Sequence, residues 1–378
     1  MNQEDDQVIE DDLDEGPYES SKQRKVLIQP YDYAVRMLMD MVIEGDLVLD
    51  PDYQRKYRWS DEKASRFIES ILLNIPVPVF YLAEEPSGKF SVIDGQQRLT
   101  SLFRFLKPEE LAELFDERSI PELVLRDLKV RSDLNGARFK DLEASDRSLL
   151  AKRPMRCIVV LNESDETLKY EVFERLNSGS AALTEQEVRN CLFRGSFNEL
   201  IKRLAKNARF QELIALPEKA ANNMKDVELV LRFFAYRELD DQSKYGDSYT
   251  EYLNNYMEDN REISESRAAK LTDIFERTVN LIADSIGPGV AFRRALDVAD
   301  PVNSRYAATS INGSIYESQM VALSRLIESG GPVPPDVRAR VLSVFADPDF
   351  MAAVLQGTAK RAKALLRTRL VQRAVMPQ

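Results

Sequence analysis

Short apolar runs alternate with helical stretches in the first half of the chain, whereas helical periodicity dominates the second half. Ala34, Leu38, Met41 and Val42 recur at three- and four-residue spacing, which predicts a helix over Tyr31–Glu44. Leu47-Val48-Leu49 reads as a short strand, and Pro51 opens an extended stretch from Asp52 to Trp59. Ser60 followed by Asp61 and Glu62 is an N-cap with acids in the first turn. The helix it starts buries Ala64, Phe67 and Ile71 and ends by Asn74, because Pro76 and Pro78 cannot continue it. Val79–Leu82 and Phe90–Ile93 flank Pro86-Ser87-Gly88 as a hairpin. Gly95 marks the exit from the second strand, and a helix runs from Gln96 to Leu106, ahead of Pro108.

Further on, Leu123-Val124-Leu125 and Met155–Leu161 read as strands, and Asp146–Lys152 and Glu166–Leu176 as helices. Thr184 with Glu187 three residues later is a capping-box pattern. From there Phe197–Lys206, Asp226–Leu239, Tyr249–Asp259, Glu262–Ser285, Gly313–Ser329, Pro335–Phe345 and Ala359–Ala374 all carry a helical period. The pattern predicts an α+β domain over residues 26–200 and an all-α domain over residues 201–378, with no internal repeat.

Charge separates a third segment. Residues 1–20 hold nine acids and no base, and removing that −9 from the chain's −11 leaves −2 for residues 21–378. Residues 1–25 are therefore expected to be an acidic, disordered tail. It either solubilises the chain or covers a basic surface in it. The candidate surface is Ala359–Ala374, which carries Lys360, Arg361, Lys363, Arg367, Arg369 and Arg373 and no acid. No apolar run is long enough to span a bilayer, the N-terminus does not read as a signal peptide, and Cys157 and Cys191 make no disulfide framework. The expected location is cytoplasmic.

Histidine is absent from all 378 residues. That excludes an HNH nuclease, a Ser-His-Asp or Cys-His hydrolase, and a histidine-ligated metal within this chain. Carboxylates, amides, hydroxyls and cations remain, a set that suits Mg²⁺ and phosphate.

Asp94-Gly95-Gln96-Gln97-Arg98 fits that chemistry. A glycine between strand and helix turns backbone N–H groups into one concave site, and the helix start favours anions. Arg98 can grip phosphate oxygens, Asp94 can hold Mg²⁺, and Gln96 and Gln97 can orient water or a base edge. The same residues also read as a capped turn with Arg98 in an ion pair. No Gly-x-x-x-x-Gly-Lys-Ser/Thr loop occurs, so a P-loop is excluded.

Three segments taken in order, Pro51–Arg55, Ile93–Leu102 and Phe173–Glu187, resemble the DGQQR-motif domain. That domain forms the N-terminal part of GmrSD-type restriction endonucleases, and the resemblance covers roughly residues 30–200. It implies a ParB/sulfiredoxin-like fold that binds and hydrolyses a nucleoside triphosphate with Mg²⁺. Carried onto this chain, Asp94, Gly95, Gln96, Gln97 and Arg98 form the nucleotide site, with Asp94 as metal ligand and Asp94, Gln97 and Arg98 as the catalytic set. Gln54 and Arg55 approach from a facing segment, and Arg175 with Asn177 form a third wall. Gln96 stands where sulfiredoxin relatives carry cysteine, so thiol chemistry is not expected. Many relatives continue into an HNH nuclease, which this chain lacks, so any nuclease is expected as a partner in trans.

Three functions follow as expectations. The first is a nucleotide-hydrolysing sensor or regulator in anti-phage DNA restriction. The second is a non-catalytic module that binds modified DNA. The third is an assembly protein whose helical half binds a partner or a second copy.

Overall fold

The computed structural model describes residues 25–49, 57, 59–114, 121–164, 170, 172, 175, 184–217, 220–221, 223–239, 248–307 and 311–376. The acidic N-terminal segment therefore lies outside the described residues, as do Gln54, Arg55, Asn177 and most of the helix expected at Glu166–Leu176. Two units are evident, dividing at Leu183/Thr184.

The first unit is built on a five-stranded mixed sheet. Its elements are β1 (Ile28–Ala34), α1 (Val35–Glu44), β2 (Leu47–Val48), α2 (Asp61–Leu72), β3 (Phe80–Glu84), β4 (Phe90–Asp94), α3 (Gln96–Leu106), α4 (Pro108–Leu114), α5 (Ala144–Lys152) and β5 (Pro154–Val160). The strand order is β1-β5-β3-β4-β2. The β1/β5 and β3/β4 pairs are antiparallel, and β3/β5 and β2/β4 are parallel. The predicted hairpin is present, with Gly88 at φ +79° in its turn. Ser60 caps α2 by accepting from Lys63 N at 3.3 Å.

Two expectations for this unit are corrected. Tyr31–Ala34 is strand rather than helix, because Tyr31, Tyr33 and their neighbours pair residue by residue with Cys157, Met155 and the rest of β5. The Tyr31 and Tyr33 rings stack 5.3 Å apart on one side of β1, the period-two arrangement of a pleated strand. Leu123–Leu125 is not a strand of the sheet. Its leucines are buried in the core, while Leu123 N donates to Arg104 O and Leu125 N to Ala137 O, so irregular backbone satisfies its polar groups.

The second unit is all helix among its regular elements. It comprises α6 (Glu185–Leu192), α7 (Ser196–Ala205), α8 (Ala208–Ile214), α9 (Lys225–Arg237), α10 (Tyr249–Asp259), α11 (Glu265–Ser285), α12 (Gly313–Glu328), α13 (Val337–Ser343), α14 (Pro348–Leu355) and α15 (Arg361–Val375). The capping box at Thr184 is formed in both directions. In packing, α6 goes with the helical unit, where its fully buried Arg189 donates to Asn254 of α10 at 2.9 Å. Phe210 and Phe233 pack edge-on or tilted against Phe275 within 5.8 Å, and Phe292 packs against Tyr316, forming an aromatic core.

An ionic cluster runs through that core. Glu317 of α12, with no exposed surface, accepts from Arg232 of α9 at 2.5 Å and from Arg367 of α15. Arg367 is thus a structural cation, which removes it from the basic face expected of the C-terminal helix. Beside it, burial opposes the charge on Glu228. Lys225, Arg232 and Arg189 outweigh that burial and draw its pKa down to about 2.

A carboxyl whose pKa is lowered on folding stabilises the fold above its unfolded value, and that contribution is lost as pH falls through the folded one. Glu228→Gln is therefore expected to remove up to about 3 kcal/mol of the stability difference between pH values near 5 and near 2. Urea melts of both forms at each pH measure this. Parallel pH curves for the two forms contradict it.

Candidate functional site

β4 delivers Asp94 to its C-terminal end, opposite Tyr81 of β3, where the ladder is irregular between Tyr81 and Leu82. Gly95 then turns the chain with φ +111° and ψ 4°, a left-handed conformation that side chains oppose. There is also no room for a side chain, because a Cβ at Gly95 would lie 2.4 Å from Phe80 Cδ1 and 2.9 Å from its Cε1. Phe80 is fully buried and comes from the neighbouring strand β3. The turn is thus pressed flat against the sheet, with α3 launched directly from it.

The first backbone bond of α3 is Leu99 N to Gly95 O at 2.9 Å, and no side chain caps the helix among the described residues. The amides of the first turn point out of the helix start, where the dipole favours an anion. Gln96 stands there at 7% exposure, and its Nε2 is buried without a hydrogen-bond partner among the described residues. A buried amide donor left unmade costs about 1–3 kcal/mol.

Asp94 is the open carboxylate of the group, with its side chain 40% exposed. Its Oδ2 accepts from Arg98 Nη2 at 2.5 Å, and its Oδ1 has no hydrogen-bond partner among the described residues. Arg98 itself is held inward. Its Nη1 donates to the carbonyls of Pro78 and Val79, the latter at 3.1 Å, and its guanidinium lies 4.8 Å above the Phe80 ring. Burial lowers the Arg98 pKa and Asp94 counteracts it. Arginine stays protonated in either case, so the pair is a fixed charge clamp rather than a proton relay. The ion-pair reading of Arg98 is what the geometry displays.

Gln97 serves the segment that precedes α2. Its Oε1 accepts from Trp59 N at 3.2 Å, while Tyr57 OH bonds Ser101 Oγ at 2.8 Å. Arg104 lies 4.8 Å over Tyr57, and Trp59 meets Phe67 edge-on. The end of the expected extended stretch is therefore fastened along α3, and Trp59 packs against the core. Gln54 and Arg55 lie outside the described residues, as does Asn177. Arg175 is exposed on the described part of its helix.

Phe80, Pro78 and Val79 are parts of the site that motif reading missed. The only sequence signal was their place at the start of the strand preceding the Gly95 hairpin strand. Cys157 of β5 is close enough to Arg98 to interact electrostatically, but burial pushes its thiol up to about 12. The thiol is therefore protonated at neutral pH.

Among the described residues no group of three or more acids and cysteines is placed to hold a metal ion. A protein-built metal cage is therefore not what this turn offers. One exposed carboxylate at a helix start fits the other common arrangement, in which Mg²⁺ is shared between one protein carboxylate and the phosphates of a bound ligand. No described helix is long and apolar enough to cross a membrane.

No curated relative and no solved structure matches the chain. Residues 35–194 match the family of the GmrSD restriction endonuclease N-terminal domain. The match takes in β2, the Asp94–Arg98 turn, the β5 strand and the capped helix α6. The turn, its strand-to-helix setting and the capping box all lie within residues 35–194, the stretch that is similar to the GmrSD restriction endonuclease N-terminal domain.

Proposed function

We propose that the Asp94–Arg98 turn binds the phosphates of a nucleoside triphosphate together with Mg²⁺, and that the chain hydrolyses it in support of DNA restriction. The observation that carries this reading is the buried, unpartnered Nε2 of Gln96 at an uncapped helix start beside the open Asp94 carboxylate. Backbone N–H groups of the first turn and Gln96 bind phosphate oxygen. Asp94 is the residue that would hold the metal, which when bound supplies charge neutralisation on the phosphates. Arg98 acts through Asp94, fixing its carboxylate, and Gln97 fixes the Trp59 segment. The family resemblance adds Gln54, Arg55, Arg175 and Asn177 as further nucleotide contacts and a ParB/sulfiredoxin-like ancestry for the fold. In this reading the strand-cutting step belongs to a partner chain, since histidine-dependent nuclease chemistry is absent from this sequence.

Equilibrium binding of ATP, GTP, CTP and UTP, each with Mg²⁺, tests the reading, with phosphate release as the second readout. At least one nucleotide is expected to bind, and Asp94→Asn is expected to weaken it by roughly ten-fold, the scale of one lost charged contact. Absence of binding by all four to the unaltered chain rules the proposal out.

A further inference from the structure

In the helical unit, the chain between α11 and α12 forms a small hairpin. Ala295 and Tyr306 make an isolated antiparallel bridge, flanked by Leu296 N to Arg305 O at 2.9 Å and Ala307 N to Arg294 O at 3.0 Å. Ala295 is buried, and Tyr306 packs edge-on to Phe345, so one face of the hairpin is anchored. The alternation of a strand sends Arg294, Leu296 and Arg305 to the other face. Leu296 is 56% exposed, and Val298 and Val302 at the tip are 45% and 36% exposed. Both arginines are exposed, and neither side chain has an ion-pair or hydrogen-bond partner among the described residues. The tip acids are engaged in their own turn. Asp297 accepts from Ala299 N at 2.9 Å, and Asp300 accepts from the Asn303 side chain at 3.0 Å.

An apolar strip flanked by unpaired cations fits an extended segment in which acids alternate with apolar residues. Such a segment exists in this chain, where Val8, Ile9 and Leu13 sit among the acids of residues 4–15, with no base before Lys22. We infer that the acidic–apolar segment Glu4–Glu15 docks on the Arg294–Leu296–Arg305 face of this hairpin. A nucleic-acid phosphate is the poorer occupant, because the surface between the arginines is apolar and the segment brings Val8, Ile9 and Leu13 to cover it.

A fluorescently labelled peptide of residues 1–20 tests this by anisotropy, using the full chain and the chain lacking residues 1–20. The peptide is expected to bind the shortened chain and to bind the full chain at least ten-fold more weakly, because the tethered copy competes at high effective concentration. Arg294→Glu with Arg305→Glu is expected to abolish binding, and Leu296→Ser to weaken it several-fold. A peptide with Val8, Ile9 and Leu13 changed to serine leaves the protein untouched and is expected to bind at least five-fold more weakly. Reversal on the C-terminal helix, Lys363→Glu with Arg373→Glu, is expected to change affinity less than two-fold. Four results overturn the inference: no binding to the shortened chain, equal binding to both chains, indifference to the serine peptide, or loss on helix reversal without loss on hairpin reversal. A duplex DNA probe that binds through Arg294 and is not displaced by the peptide overturns it as well.

Discussion

Glu317→Ala is expected to destabilise the helical unit by about 3–5 kcal/mol, the cost of removing one partner from a buried ion pair. The carboxylate stands between Arg232 and Arg367, all three essentially without exposed surface. When it is gone, Arg232 retains Glu228 at 3.3 Å. Among the described residues Arg367 retains no carboxylate, and its remaining hydrogen bonds go to the carbonyls of Thr358 at 2.7 Å and Ala353 at 3.4 Å. The cost therefore falls mainly on Arg367 and should loosen α15. Gly313 participates, because a Cβ there would lie 2.8 Å from Arg232 Nη2, so the first turn of α12 leaves space for that guanidinium. Urea melts give the magnitude, and hydrogen exchange along α15 gives the location. Replacing the whole triad with Glu317→Leu, Arg232→Met and Arg367→Met should recover most of the loss, since well-packed apolar groups of similar volume often match a buried ion cluster. A loss under about 1 kcal/mol for Glu317→Ala would show that water reaches the cluster.

The second large effect is expected at Gly95. Gly95→Ala places a methyl group into the Phe80 ring and forces a side chain onto a φ of +111°. Backbone strain of about 1–3 kcal/mol and overpacking of about 1–3 kcal/mol act together. The first unit should be destabilised by about 2–6 kcal/mol, and the proposed nucleotide binding should be lost with it. The double variant Gly95→Ala/Phe80→Leu separates the two terms, because a smaller neighbour relieves the clash and leaves the strained φ. The double variant is expected to regain part of the stability but less of the binding, since α3 still starts from a distorted turn. A melting profile for Gly95→Ala indistinguishable from the unaltered chain would mean that the turn moves off the sheet at little cost, and the site would then not be preorganised.

Much of the candidate site was legible because its signals are local. Gly95 between an apolar strand and an apolar-faced helix is read from adjacent residues, and so is the reciprocal cap of Thr184 and Glu187. The role of Arg98 was not legible. Its spacing from Asp94 allows either a phosphate-facing or an inward rotamer. The choice was made by carbonyls of Pro78 and Val79, twenty and nineteen residues away, and by the ring of Phe80. Gln97 is a similar case, since its acceptor is occupied by a backbone N–H from the segment before α2.

What the chain determined by itself is the set of features whose physics is short-ranged. Missing histidine limits the chemistry, prolines and Ser60 bound α2, the Pro86–Gly88 turn closes its hairpin, and helical periodicity fills the second unit. Tertiary structure decided where a pattern admits two partners. Tyr31–Ala34 became strand because β5 offered a complete ladder of hydrogen bonds, a non-local gain that periodicity cannot register. Arg367 left the basic face of α15 because a buried carboxylate on α12 needed a second cation. In both cases the competing local readings differ by less free energy than one well-placed distant contact supplies.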